Sequence, residues 1–130
     1  MKVLLGIVLA GNVSGAASGA LQDCTSASGS SDPSRVVFCL RNAKQAATEQ
    51  MLERFLGVEE TITALGTEAG RASEALKQSQ RAFERYLLEH CNGLQGLIAA
   101  GEAASLACEA DLLRQRTDTL EALEGNQQRI

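Results

Sequence analysis

The stretch from Leu76 to Leu120 constrains this chain most. It holds two segments of helical period joined by a glycine-containing connection, Asn92 to Gly101, with one cysteine on each side of the joint. Cys91 stands at the end of the first segment and Cys108 in the first turns of the second. If the two segments fold back on each other, a bond between these sulfurs closes the hairpin at its turn.

Helical spacing extends through the rest of the chain. Asp32-Pro33 reads as a helix start, since Asp accepts from free N–H groups and Pro lacks only a donor that has no partner there. Apolar residues then recur every three or four positions at Val36, Leu40, Ala43, Ala47, Met51, Phe55, Val58, Ile62 and Leu65, the period of one helix face. The first long helix is expected to pass through Gly57 and end near Leu65. Gly66 to Gly70 is the expected break, with Thr67 placed to cap the next helix. That second helix is expected from about Arg71 to Cys91, burying Ala72, Ala75, Leu76, Ser79, Phe83, Tyr86, Leu87 and His90. Asn92-Gly93 is read as its stop, and Leu94 to Gly101 as a loop or a short helical turn. The third helix is expected over Glu102 to Glu124 on a stripe of Ala103, Leu106, Ala110, Leu113, Thr117, Leu120 and Leu123. Gly125 is expected to end it, with residues 126–130 frayed. Leu21 to Ser31 is Ser-rich, shows no period, and reads as loop. No alternating β pattern occurs. The fold class expected is all-α: a small antiparallel bundle of about three helices stapled by two disulfides.

The N-terminus reads as a secretory leader over residues 1–20. Lys2 is followed by the apolar run Val3 to Ala10, too short to span a bilayer, and Ser18-Gly19-Ala20 fits a small-x-small cleavage pattern. Residues 21–130 then form a single helical domain. The charge of the whole chain is −4, and loss of Lys2 takes it to −5. That balance argues against nucleic acid and anionic membrane surfaces and permits a basic protein partner. The four cysteines fall in the mature part, as expected in an oxidising compartment. They allow three pairings. Cys24–Cys39 and Cys91–Cys108 are favoured because each closes a short loop around a helix end. Each bridge is worth about 3 kcal/mol in the loop-entropy account. Lipid attachment at Cys24 is not expected, because Asp23 puts a charge where a small residue is needed.

The residues do not suggest catalysis. His90 and Cys91 are adjacent on a helix and point about 100° apart, so they make no dyad. The pairs Glu59–Glu60 and Glu121–Glu124 lie on polar faces with nothing apolar around them to raise a pKa. Gly93, Gly96 and Gly101 follow a helix rather than a strand, so they do not form a phosphate loop. One histidine and four oxidised cysteines leave no metal set. Neither cofactor nor metal is expected, and the reading is a binding protein rather than an enzyme.

Two blocks carry a resemblance. The first is Asp23-Cys24 followed by Asp32-Pro33-Ser34-Arg35-Val36-Val37-Phe38-Cys39. The second is Gln80-Arg81-Ala82-Phe83-Glu84-Arg85-Tyr86, ending at Cys91, with Cys108, Arg116 and Leu120 downstream. Together they resemble the LprI-like family of small secreted bacterial proteins, named after a lipoprotein that inhibits lysozyme. Gln80, Phe83, Tyr86 and Arg116 fall on the family's motif positions. Arg35 stands where the family usually has Glu, Phe83 replaces a Trp, Leu87-Leu88 replace Arg-Asp, and Leu113 occupies a Thr position. Loss of those polar groups implies a more apolar contact between the second and third helices.

The resemblance implies a periplasmic or secreted protein whose partner is a basic, lysozyme-like enzyme. The connection after Cys91, with Leu94, Gln95 and Leu97, is the candidate partner-contact loop. Two other roles fit the same sequence: a periplasmic immunity protein against a delivered toxin, and a structural envelope protein.

Overall fold

The structure is a computed structural model, and it describes residues 19–29, 32–99 and 101–128. The leader expected over residues 1–20 lies outside these as far as residue 18. The elements are α1 (Ala20–Ser28), α2 (Pro33–Thr63), a 3₁₀ turn at Gly66–Glu68, α3 (Ala69–Leu87), a π-helical segment (Leu88–Leu94), α4 (Gln95–Ile98) and α5 (Glu102–Gln128). Among the described residues there is no strand. The all-α expectation and both disulfides are found: Cys24–Cys39 with Cα atoms 5.6 Å apart, and Cys91–Cys108 at 5.5 Å.

The long helix starts as its residues dictate. Pro33 occupies the first turn, and the Asp32 carboxylate accepts the Ser34 N–H at 3.0 Å. It then runs unbroken through Gly57. That glycine serves the neighbouring helix rather than a bend: a Cβ there would collide with the Glu124 carboxylate, which lies across it and takes an ion pair from Arg54 at 3.3 Å. Of the expected stripe, Val36, Leu40, Ala47, Met51, Val58 and Ile62 are buried, whereas Leu65 is exposed past the helix end. Gly66, at φ 71°, makes the turn. The next helix begins earlier than expected, at Ala69, and its N-cap is Glu68 without a side-chain bond, so Thr67 does not cap it.

Successive long helices run antiparallel, so α2 and α5 are parallel. Their ion pairs keep the same order along both: Arg41 with Glu102, Lys44 with Glu109, and Arg54 with Glu124. The core has two parts. Toward the C-terminal ends, Ala47, Met51, Val58 and Ile62 of α2 pack with Leu76 of α3 and with Leu113 and Leu120 of α5; Phe55, Phe83 and Leu87 close over them. Toward the N-terminal ends, Val36 and Leu40 meet Ala107 and Ala110, and the covering element is α1, through Ala20 and Cys24.

Three expectations need correction. Leu21 to Ser28 is helix, not loop. Local propensity there is poor, but the Cys24–Cys39 bridge and the burial of Ala20 and Cys24 against α2 and α5 supply what propensity lacks. Gly29, at φ 65°, ends this helix in the left-handed conformation that glycine adopts at no steric cost. Second, Asn92-Gly93 does not stop the second helix, which continues through the π segment to Ile98; Gly93 keeps a negative φ. Third, Gly125 does not end α5, whose backbone stays helical to Gln128. A glycine stops a helix by adopting φ above zero, and neither of these is required to.

The burial pattern of α3 also differs. Ala75, Ser79 and Tyr86 are exposed, and Gln80 is buried instead.

Leu120 is fully buried where α5 meets α2 and α3. Leu120→Ala should cost about 3 kcal/mol, the scale of a core leucine truncation. Urea unfolding should show a lower midpoint with an unchanged slope.

Candidate binding surface at the disulfide-held tip

The π segment is where the second and third helices are tied together. Cys91 is fully buried and bonded to Cys108. The Ser105 hydroxyl donates to the Cys91 carbonyl at 3.1 Å. Asn92 Nδ2 donates to Glu109 Oε2 at 3.2 Å, and Lys44 Nζ meets Glu109 Oε1 at 3.1 Å. Glu109 is thus a buried carboxylate with a partner for each oxygen, the arrangement that makes burial of a charge tolerable. Residues on α2 and α5 therefore anchor one turn of the π segment from below. Short π segments inside α-helices occur frequently at functional sites.

Beyond this anchor the chain turns over the start of α5, with Gly96 close to Ser105, and leaves its apolar side chains exposed. Leu94 is 52% exposed, Leu97 86% and Ile98 73%. Gln95 is half-buried at the start of α4, and the Ala99 N–H closes the turn on the Gln95 carbonyl at 2.8 Å. The candidate contact residues Leu94, Gln95 and Leu97 therefore sit on a helical tip rather than a loop. Ile98, which the sequence reading did not single out, is exposed beside them. Its signal was its position next to Leu97 in a run with no charged side chain between Asn92 and Ala99.

Three of the four motif positions form one cluster. Arg116 Nε donates to Gln80 Oε1 at 3.0 Å, and its guanidinium lies 5.6 Å from the centre of the Phe83 ring. Gln80 Nε2 reaches Glu84 Oε2 at 3.2 Å and the Met51 sulfur at 3.5 Å. Burial holds the Arg116 pKa below its ordinary value, and the Glu84 carboxylate pulls it the other way. Arg116 Nη2 is buried without a hydrogen-bond partner among the described residues. A polar bond thus crosses the contact between these helices, because Gln80 turns inward to meet Arg116.

Tyr86 stands apart from this cluster. It is half-exposed and stacks on His90, with ring centres 5.1 Å apart. His90 is half-buried but not at a helix end, since the rod continues beyond it.

The cluster ties α3 to α5. Among the described residues no group of three metal-binding side chains converges. Of the carboxylate pairs, Glu60 and Glu121 are exposed and Glu59 is half-buried, whereas Glu124 lies across Gly57 in an ion pair with Arg54.

The Gln80–Arg116 pair yields a double-mutant test. Arg116→Met or Gln80→Leu alone leaves a buried polar partner unpaired and should cost about 1–3 kcal/mol. The double substitution should recover most of that loss, because no orphan remains. Thermal unfolding of the four proteins measures the coupling.

No curated protein and no solved structure matches the chain. Among the described residues no helix is long and apolar enough to cross a membrane. A family model described as lysozyme inhibitor LprI matches residues 24–120, a span that takes in all four cysteines, the Gln80–Arg116 cluster and the tip. The chain belongs to the lysozyme inhibitor LprI family.

Proposed function

We propose that this protein acts outside the cytoplasm as a non-catalytic inhibitor of a lysozyme-like wall hydrolase, and that the tip at Leu94, Gln95, Leu97 and Ile98 is the part that enters or covers the enzyme's cleft. Family membership over residues 24–120 carries the inhibitor reading. Both disulfides, which leave no free cysteine, support an oxidising compartment.

The physical case for the tip rests on shape and charge. Exposed leucine and isoleucine side chains on a rigidly anchored turn lose little conformational entropy on docking, so more of their burial appears as affinity. Three such side chains are worth on the order of 1.5–3 kcal/mol each when fully covered. The tip itself has no charge from Asn92 to Ala99. It can therefore approach a cleft that contains catalytic carboxylates without repulsion. The net negative charge of the whole chain meanwhile favours encounter with a basic enzyme. A projecting apolar turn on an acidic body separates the two tasks of steering and occlusion.

The oxidised protein should slow lysis of bacterial cell walls by a C-type lysozyme. Leu97→Asp combined with Ile98→Asp should weaken that inhibition at least about tenfold, the equivalent of roughly 1.4 kcal/mol. Both positions are exposed, so the melting temperature should hardly move. Full inhibition by this variant would remove the tip from the interface. No inhibition by the unaltered protein would remove the enzyme class.

A further inference from the structure

α2 carries an apolar surface on a side that the core does not use. Leu52 and Leu56 stand one turn apart, off the buried stripe of Met51, Val58 and Ile62. They are 49% and 61% exposed. A single exposed leucine is ordinary, but these two line grooves. Two shallow grooves meet at Leu56. One, of about 570 Å³, is lined by Ala46, Leu52 and Leu56 together with Glu49 and Glu53. The other, of about 650 Å³, lies between α2 and the start of α3, where Leu56, Ala69 and Gly70 adjoin Glu59 and Glu60. A Cβ on Gly70 would meet no atom within 4 Å, so this second groove has room for a bulky side chain.

The fold does not use the carboxylates on this face. Among the described residues Glu53, Glu59 and Glu60 enter no ion pair, and the Glu49 carboxylate accepts only the Gln45 side-chain amide, at 3.4 Å. The one cation between Gln45 and Thr63 is Arg54, which turns to Glu124 on α5. Nearer its start α2 pairs its charges across the seam, Arg41 with Glu102 and Lys44 with Glu109. The four glutamates therefore repel one another with no cation between them.

Exposed apolar surface beside uncompensated negative charge fits an occupant that brings apolar side chains and cations together. A second copy of the same face would set carboxylate against carboxylate, and an anionic membrane or nucleic acid would be repelled. No sheet edge is present on α2 for an extended peptide to join. The grooves follow the helix axis from Ala46 to Thr63, about 26 Å at the rise of an α-helix. Along such a groove another helix can lay one face.

We propose that this face of α2 binds a cationic amphipathic helix of another protein. Apolar side chains of that helix seat against Leu52, Leu56 and Gly70, and its Lys or Arg side chains meet Glu49, Glu53, Glu59 and Glu60. The surface shares no residue with the tip and does not depend on inhibition of an enzyme.

The probe is a labelled peptide of about 18 residues, five turns of helix, with Leu on one face and Lys on the other. Fluorescence anisotropy with the oxidised protein should give a Kd below about 100 μM. Binding should weaken several-fold as ionic strength rises from about 0.1 M to about 1 M. Weaker binding than this, or equal binding of a peptide with Glu in place of Lys, overturns the proposal.

Two variants locate the site. Gly70→Leu fills the second groove at a helical position in open space, so the melting temperature should not fall. Its affinity for the peptide should drop at least about tenfold. Glu53→Gln with Glu60→Gln leaves the packing untouched and should lower both the affinity, at least about fivefold, and its salt dependence. Unchanged binding in either variant overturns the assignment. So does a loss of the same size in Leu97→Asp with Ile98→Asp, which would put the peptide at the tip. Self-association of the protein that Gly70→Leu abolishes would make the occupant a second copy and overturn it as well.

Discussion

The parallel seam between α2 and α5 supports everything else. It is built from small and medium side chains, Val36 and Leu40 against Ala107 and Ala110, then Ala47 and Met51 against Leu113, with Leu120 at the far end. Small residues let the two backbones approach closely, and Gly57 extends that closeness to where Glu124 crosses α2. The flanking ion pairs, Arg41–Glu102, Lys44–Glu109 and Arg54–Glu124, hold the register. Exposed pairs of this kind add little stability. Lys44–Glu109 differs because Glu109 is buried, so mispairing would leave a charge without compensation.

Two helices packed side by side cannot enclose a core, and each end of the seam is covered differently. α3 covers the C-terminal half with Leu76, Phe83 and Leu87. α1 covers the N-terminal half with little more than Ala20 and Cys24. So small a cover needs fastening, and the Cys24–Cys39 bridge and the Asp111 carboxylate, which accepts the Ala20 N–H, provide it from opposite sides. The second bridge does a different job. It sets Cys91 against α5, and the turn beyond it packs on the start of α5 while Leu97 and Ile98 stay exposed. The proposed inhibitory tip is thus a by-product of where the anchoring stops.

Much of this was legible in the residues themselves. The α2 stripe, the start at Asp32-Pro33 and the break at Gly66 follow from spacing and capping chemistry that act over one or two turns, and both cysteine pairings from the short loops they close. Gln80, Phe83 and Arg116, singled out by family resemblance, meet in space. Other features were not legible, for one recurring reason. A local signal such as glycine states what the backbone can do, and contacts made from elsewhere decide what it does. Gly93 and Gly125 looked like breaks, and both lie within helices.

The sequence by itself determined the helical period, the ends set by Asp32 and Gly66, and the oxidised character of the four cysteines. The period and the helix ends depend on neighbours within a few residues, and the state of the cysteines on their number and spacing. Tertiary structure alone decided that the Ser-rich segment from Leu21 to Ser28 is a helix and that Gln80 rather than Tyr86 faces inward. It alone decided that the second helix runs on to Ile98. Each outcome turns on a partner far along the chain: Asp111 for Ala20, Arg116 for Gln80, Cys108 and Ser105 for Cys91. Local propensities of a few tenths of a kcal/mol per residue yield to such contacts, because burying a side chain or leaving a polar group unpaired is worth several times more.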